Sequence, residues 1–329
     1  MRGAIGARLG LGGAIVVAAW IGAAPAWAQQ NYPTKPIRYV IPFDAGSSPD
    51  VVGRVLADKF SRHWGQQVIV ENRVGAAGTI GAAFVAKAPP DGYTLLQANI
   101  APNAISVSLY AKVPYDQLHD FAPITRIGMT PNIITVHPSV PFKSIREFIA
   151  YAKANPGKLS YSSALVGTSP QLTMELLKLL VKFDVVHIPY RNASQAISDT
   201  IAGQLPVNIS NVPGVIGAIQ SGRLRPLAVT SAQRIVQLPD VPTMQEAGVA
   251  GFEVNSWYGV AAPAGTPEPL LDKLNADINS VLRQPEVQQR LTELVMPPAP
   301  TSRKEFDEFI RSEVARWAKV IKQAGIPQQ

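Results

Sequence analysis

The chain has 329 residues, 47% of them apolar and 16% charged, with a formal net charge of +7. That composition is rich enough for a buried core and excludes a disordered chain, while the length suits two lobes better than one. The chain has no cysteine, which excludes disulfides, thiol catalysis and cysteine-ligated metal. Its basic residues lie singly among acids without the block that tracks phosphates, so no nucleic acid is predicted as a partner.

In chain order, Arg2 and Arg8 precede an uncharged run from Leu9 to Ala24, and "APAWAQQ" follows with Ala26 and Ala28 as an A-x-A site. This is the grammar of a secretory leader over residues 1–28, cleaved after Ala28, and it predicts a bacterial periplasm as the address. The stretch from Leu9 to Ala28 is also just long enough for an uncleaved anchor. After Gln29, "IRYVIPF" reads as a buried strand, "DVVGRVLADKFSRHWG" as a helix closed by Gly65 and "QQVIVENR" as a strand. A glycine-rich turn then leads into a helix in "GAAGTIGAAFVAKA", and "GYTLLQAN" is a third strand. This βαβαβ rhythm predicts an α/β fold with mostly parallel central sheets.

The rhythm recurs. "NIITVHP" reads as a strand, "SIREFIAYAKANPG" as a helix and "LSYSSA" as a strand before a helix from Pro170. Then come "VVHIPYR", the helix "SQAISDTIAGQ", "PVNIS", "RPLAVTS" and "EVNSWYGVAAP", with helices near 267–284 and 303–325. Two lobes follow, 29–128 with 252–329 and 129–251. Crossings near Gly128-Met129 and Gly251-Phe252 would make a hinge of two crossing strands.

One strand-to-helix corner occurs twice. Gly46-Ser47-Ser48-Pro49 ends the first strand, and Gly167-Thr168-Ser169-Pro170 ends a strand of the second lobe. In an open parallel sheet, ligands bind beyond the carboxyl ends of the strands. The first amides of a helix lack intrahelical partners and carry the positive end of its dipole. Such a corner can hold a carboxylate without a cationic side chain. The glycine admits close approach, Ser47 or Ser48 can cap the helix or donate a hydroxyl, and proline suits the first helical position. Simple capping also explains each corner taken alone; the matched pair in two lobes points to a cleft. Two weaker corners are Gly75, Gly78 and Gly81, whose spacing is not that of a dinucleotide fingerprint, and Ser210-Asn211 after a strand.

Catalytic constellations are not apparent. His63, His119, His137 and His187 have no metal-ligand spacing, His187 reads as a satisfied core histidine, and the Gly167 corner lacks the second glycine of a nucleophile elbow.

The motifs from "YPTKPIRYVIPFDAGSSPDVVGRVLADKF" through "HPSVPFKSIREFIAYAKANPGKLSYSS", "VGTSPQLTMELLK" and "LRPLAVTSAQRIVQLPDVPTMQEAG" to "EFIRSEVARWAKVIKQAGI" resemble, in order, the periplasmic receptors of tripartite tricarboxylate transporters, the Bug family. The resemblance covers essentially the whole mature chain. It implies a two-lobed periplasmic binding protein type II fold, hinged, monomeric and non-enzymatic, without cofactor or metal. Such a receptor closes on a small carboxylated solute and hands it to an inner-membrane tripartite permease. Carried over by position, it implies ligand contacts at Phe43, Ala45, Gly46, Ser48 and Asp50, at Gly78 and Thr79, at Ser163, Gly167, Thr168 and Ser169, and at Tyr190 and Asn211.

Departures from the family pattern bear on specificity. Asp44-Ala45-Gly46-Ser47 replaces an alanine-proline-glycine-glycine turn, Pro49 replaces a threonine and Ser210 replaces an aspartate. Leu165-Val166 replaces a glycine-asparagine pair. Asp44 adds negative charge beside the expected carboxylate site, pulling toward a ligand with an amine or hydroxyl. Loss of an acid at 210 and the apolar pair at 165–166 point to an apolar or aromatic carboxylate. An orphan sensor that presents its ligand state to a two-component kinase would use the same cleft.

Overall fold

The computed structural model describes residues 32–328 apart from Ala324. The expected leader, residues 1–28, lies outside the described residues. Among those described, no helix is long and apolar enough to cross a membrane.

Among the described residues, nine strands form one curled mixed sheet. The first half builds on β1 (Ile37–Ile41), α1 (Ser48–Trp64), β2 (Val68–Asn72), α2 (Thr79–Ala86) and β3 (Thr94–Asn99). A π-helical turn, Ala101–Ile105, runs into the short α3 (Ser106–Leu109), and the long β4 (Phe121–Val136) follows. The second half adds α4 (Ile145–Ala154), β5 (Ser160–Ser163), α5 (Ser169–Val181), β6 (Val186–Pro189) and α6 (Ala193–Ile201). After it come β7 (Val207–Asn211), α7 (Val212–Gln220) and β8 (Arg225–Val229). The chain returns through β9 (Asn255–Pro263) and ends in α8 (Glu268–Leu282), α9 (Pro285–Glu293) and α10 (Arg303–Gln323).

The strand order is β2-β1-β3-β9-β4-β7-β5-β6, with β8 also on β4. Within each lobe the strands linked by crossover helices are parallel: β1 with β2 and β3, and β5 with β6 and β7. Among the described residues, all antiparallel strand pairings involve β4 or β9. The sheet is therefore more mixed than the rhythm alone suggests. Parallel neighbours need a crossover of a dozen or more residues, whereas β4 and β9 cross between halves and run back on each other.

β4 passes through both halves with Gly128-Met129 in its middle, pairing with β9 from Phe121 to Pro131 and with β7 and β8 from Asn132 to Val136. The return passage lies just ahead of β9, where Val254 N donates to Thr230 O. The first part of β4 is not legible as a strand. Pro123, Gly128 and Pro131 interrupt it, and the ladder shifts register beside the first two, at 123–125 and 126–128, the kind of place where a sheet tolerates proline.

Candidate functional site

The two corners are built alike, atom for atom. Gly46 and Gly167 both adopt left-handed φ, +77° and +86°, which glycine takes without the Cβ clash. Each glycine amide donates to the side chain four residues on: Gly46 N to Asp50 Oδ2 at 2.9 Å and Gly167 N to Gln171 Oε1 at 3.2 Å. The next hydroxyl folds back onto the carbonyl three residues earlier, Ser47 Oγ to Asp44 O at 2.6 Å and Thr168 Oγ1 to Leu165 O at 2.9 Å. Neither hydroxyl caps its helix, contrary to one of the two expected roles, and both α1 and α5 begin without a side-chain cap. The second hydroxyl reaches out instead. Ser48 Oγ donates to Asn211 O across the cleft at 3.1 Å, and Ser169 Oγ meets Ser256 Oγ and Asn132 Oδ1. Two helix N-termini from opposite lobes are thus presented to one space.

That space is a narrow cavity of about 40 Å³ between the lobes. Of the residues expected from sequence, Phe43, Ser47, Ser48, Thr168, Ser169, Ser210 and Asn211 line it. Sequence reasoning missed Asn99, Ala101, Ala164, Ala193, Ile197, Ile209 and Ser256, which line it too, as do the two prolines of the corners. Asn99 carried a signal, since it is the first residue at the carboxyl end of a buried parallel strand. Ser256 carried none, because only the pairing of β9 with Thr130 of β4 brings it there. No lining residue is charged.

The remaining expected residues do not line the cavity. Asp50 is 2% exposed and accepts from Gly46 N, Arg54 Nε and Asn72 Nδ2. Burial alone would raise its pKa, but the bonds from Arg54, Gly46 and Asn72 outweigh it and hold the carboxyl below its usual range. Asp50 thereby fixes the turn that aims α1. Gly78 sits between Pro42 and Pro102, where a Cβ would meet each at 3.2 Å, and Thr79 Oγ1 donates to Ala76 O. Tyr190 OH donates to Asp199. Asp44 turns its carboxylate to the amino end of α6, and the Ala45 carbonyl accepts from Ser194 Oγ.

Asn132 and Asn211 tie the corners together. Fully buried on β4, Asn132 accepts at Oδ1 from Ser169 Oγ and Asn211 Nδ2 and donates from Nδ2 to Thr173 Oγ1. Asn211, at the start of α7, also donates to Ser256 Oγ and accepts from Tyr258 OH. Sequence reasoning found Asn211 but not Asn132.

Ser163 ends β5 with its Oγ 2.7 Å from His187 Nε2, and that ring stacks on Tyr161 at 4.8 Å. Burial pushes the imidazole down to about 4, partly offset by the attraction of Glu175. The native state thus resists a proton that the unfolded chain accepts near pH 6.5. The stability contributed by neutral His187 is full above pH 6.5 and is lost as pH falls from there to about 4. Urea midpoints across that range are expected to fall for the wild type and to flatten for His187→Gln; equal slopes would remove this role.

A site of this kind offers an anion two uncapped helix ends, a set of neutral hydroxyls and amides, and an apolar flank. It suits a small carboxylate held by main-chain amides. The comparisons agree. The model of the tripartite tricarboxylate transporter family receptor matches residues 52–326. The protein BugT of Bordetella pertussis is 36% identical over 304 residues, 92% of this chain and 93% of that one. A solved structure of Rpa4515 from R. palustris with adipate superposes with a TM-score of 0.87 at 34% identity, covering 90% of this chain and 99% of that one. MatC (Rpa3494) from Rhodopseudomonas palustris with bound malate gives 0.83 at 31%, covering 88% and 100%. Fold, corners and sequence converge, and the chain belongs to the tripartite tricarboxylate transporter receptors, the Bug family of solute-binding proteins.

Proposed function

We propose that this protein is a periplasmic receptor, not an enzyme, that closes its two lobes on a small carboxylate and delivers it to a tripartite membrane permease. One observation carries the reading. Two matched glycine–hydroxyl–proline corners, one from each lobe, meet at a single cavity with a neutral lining. In a water-poor cleft such dipoles act more strongly than at a surface, so a carboxylate gains most when both lobes engage it and the hinge is shut. The adipate and malate bound by similar solved proteins support the substrate class, and the family supports the permease as partner.

Delivery is testable apart from capture. Proteoliposomes holding a tripartite permease are expected to accumulate labelled carboxylate only when this receptor is added. Accumulation that is the same without it would remove the delivery step and leave the capture reading intact.

A further inference from the structure

Asp44 is 8% exposed and its carboxylate is held by the other lobe. Ala193 N and Ser194 N donate to it at 3.2 Å each, and Ser194 Oγ donates at 2.9 Å. None of these donors is a cation. Ser194 Oγ is also 2.9 Å from Ala45 O, in space that Gly46 leaves clear, since a Cβ at 46 would stand 3.2 Å from that oxygen. Ala193 and Ile197 of the same helix line the cavity. A negative charge belonging to the protein therefore sits just behind the α6 edge of a cavity whose own lining is uncharged, and the first amides of α6 are already occupied by it.

We infer that Asp44 is a built-in carboxylate that sets the charge selectivity of the cleft. It joins the lobes and holds the α6 edge against a second anionic group, so the receptor selects solutes with one carboxylate and a neutral, largely apolar remainder. The inference rests on the carboxylate reading of the cleft. The solute carboxylate goes to the ends of α1 and α5. The cavity is narrow, about 40 Å³ as it stands, so the far carboxylate of a diacid is brought into a low-dielectric space close to Asp44, where like charges repel strongly. The donors at the start of α6 that could have stabilised that far carboxylate are taken by Asp44. Phe43, Ala164, Ile197 and Ile209 offer an apolar wall to an aliphatic or aromatic body instead.

Calorimetry on the refolded protein with two matched pairs, hexanoate with adipate and benzoate with terephthalate, tests this. In whichever pair binds, the wild type is expected to favour the monoacid at least about tenfold, and Asp44→Asn to narrow that ratio by at least about tenfold. Ser194→Ala removes bonds but no charge, so it is expected to weaken both acids alike and keep the ratio. A diacid bound as tightly as its monoacid by the wild type, or a ratio unmoved in Asp44→Asn, would overturn the inference while leaving the carboxylate clamp standing. No binding of any acid by any variant would remove the clamp itself, and this inference with it.

Discussion

Gly214→Ala is expected to weaken carboxylate binding about tenfold while leaving the ligand-free protein at least as stable as the wild type. Gly214 lies in the first turn of α7, and a Cβ there would stand 2.7 Å from Ser48 Oγ and 3.5 Å from Ser48 N. Those atoms belong to α1 in the other lobe, so the added methyl is crowded only when the cleft is shut. To make room, the Ser48 hydroxyl must leave its bond to the Asn211 carbonyl. A lost hydrogen bond and a small overpacking together are worth about 1.4 kcal/mol, or tenfold in affinity. In the open protein the same change only replaces a helical glycine with alanine, a gain of up to about 1 kcal/mol. Calorimetry and ligand-free urea unfolding separate the two effects. In a Ser48→Ala background the hydroxyl is gone, and Gly214→Ala is expected to add little. Undiminished affinity in the single variant would mean that α1 and α7 do not meet in the bound state.

Asn132→Leu is expected to cost about 3 kcal/mol of stability, because it removes three buried hydrogen bonds. It leaves the Ser169 hydroxyl and the Asn211 amide nitrogen only their bonds to Ser256, and the Thr173 hydroxyl only its bond to the Ser169 carbonyl. For a chain of this size that corresponds to a fall in midpoint of roughly 6 °C. Affinity falls as well, since Asn132 fixes the first residue of α5 and the cap of α7 against each other. A midpoint within one degree of wild type would show that water or rearrangement satisfies those groups.

The corners were legible because they are local. Gly46, Ser47, Ser48 and Pro49 are consecutive, and their roles follow from a positive φ, a helix start and a proline at its first turn. The same grammar located Gly167 to Pro170. What escaped depends on residues far apart in the chain. Asp44 reads as a charge beside the ligand until α6, some 150 residues later, is seen to supply its hydrogen bonds. Asn132 lies in an apolar run and looks like any strand residue until β7 and α5 are packed around it. Helix α7 was missed for a different reason. Pro213, Gly214 and Gly217 weaken its propensity, and burial of Val212, Val215, Ile216 and Ile219 overrides that deficit. Small residues in its first turn are also what let α1 approach.

Capture of a carboxylate by the cleft is tested most directly by thermal unfolding of the refolded protein. The protein would be scanned with a panel of mono- and dicarboxylates and with the matching uncharged amides, refolding having removed any carried solute. A carboxylate at a hundred times its dissociation constant adds about 2.7 kcal/mol, which should raise the midpoint by at least about 3 °C. Such a shift is expected for at least one acid and none for its amide. Equal shifts from acid and amide, or none from any acid, would contradict carboxylate capture.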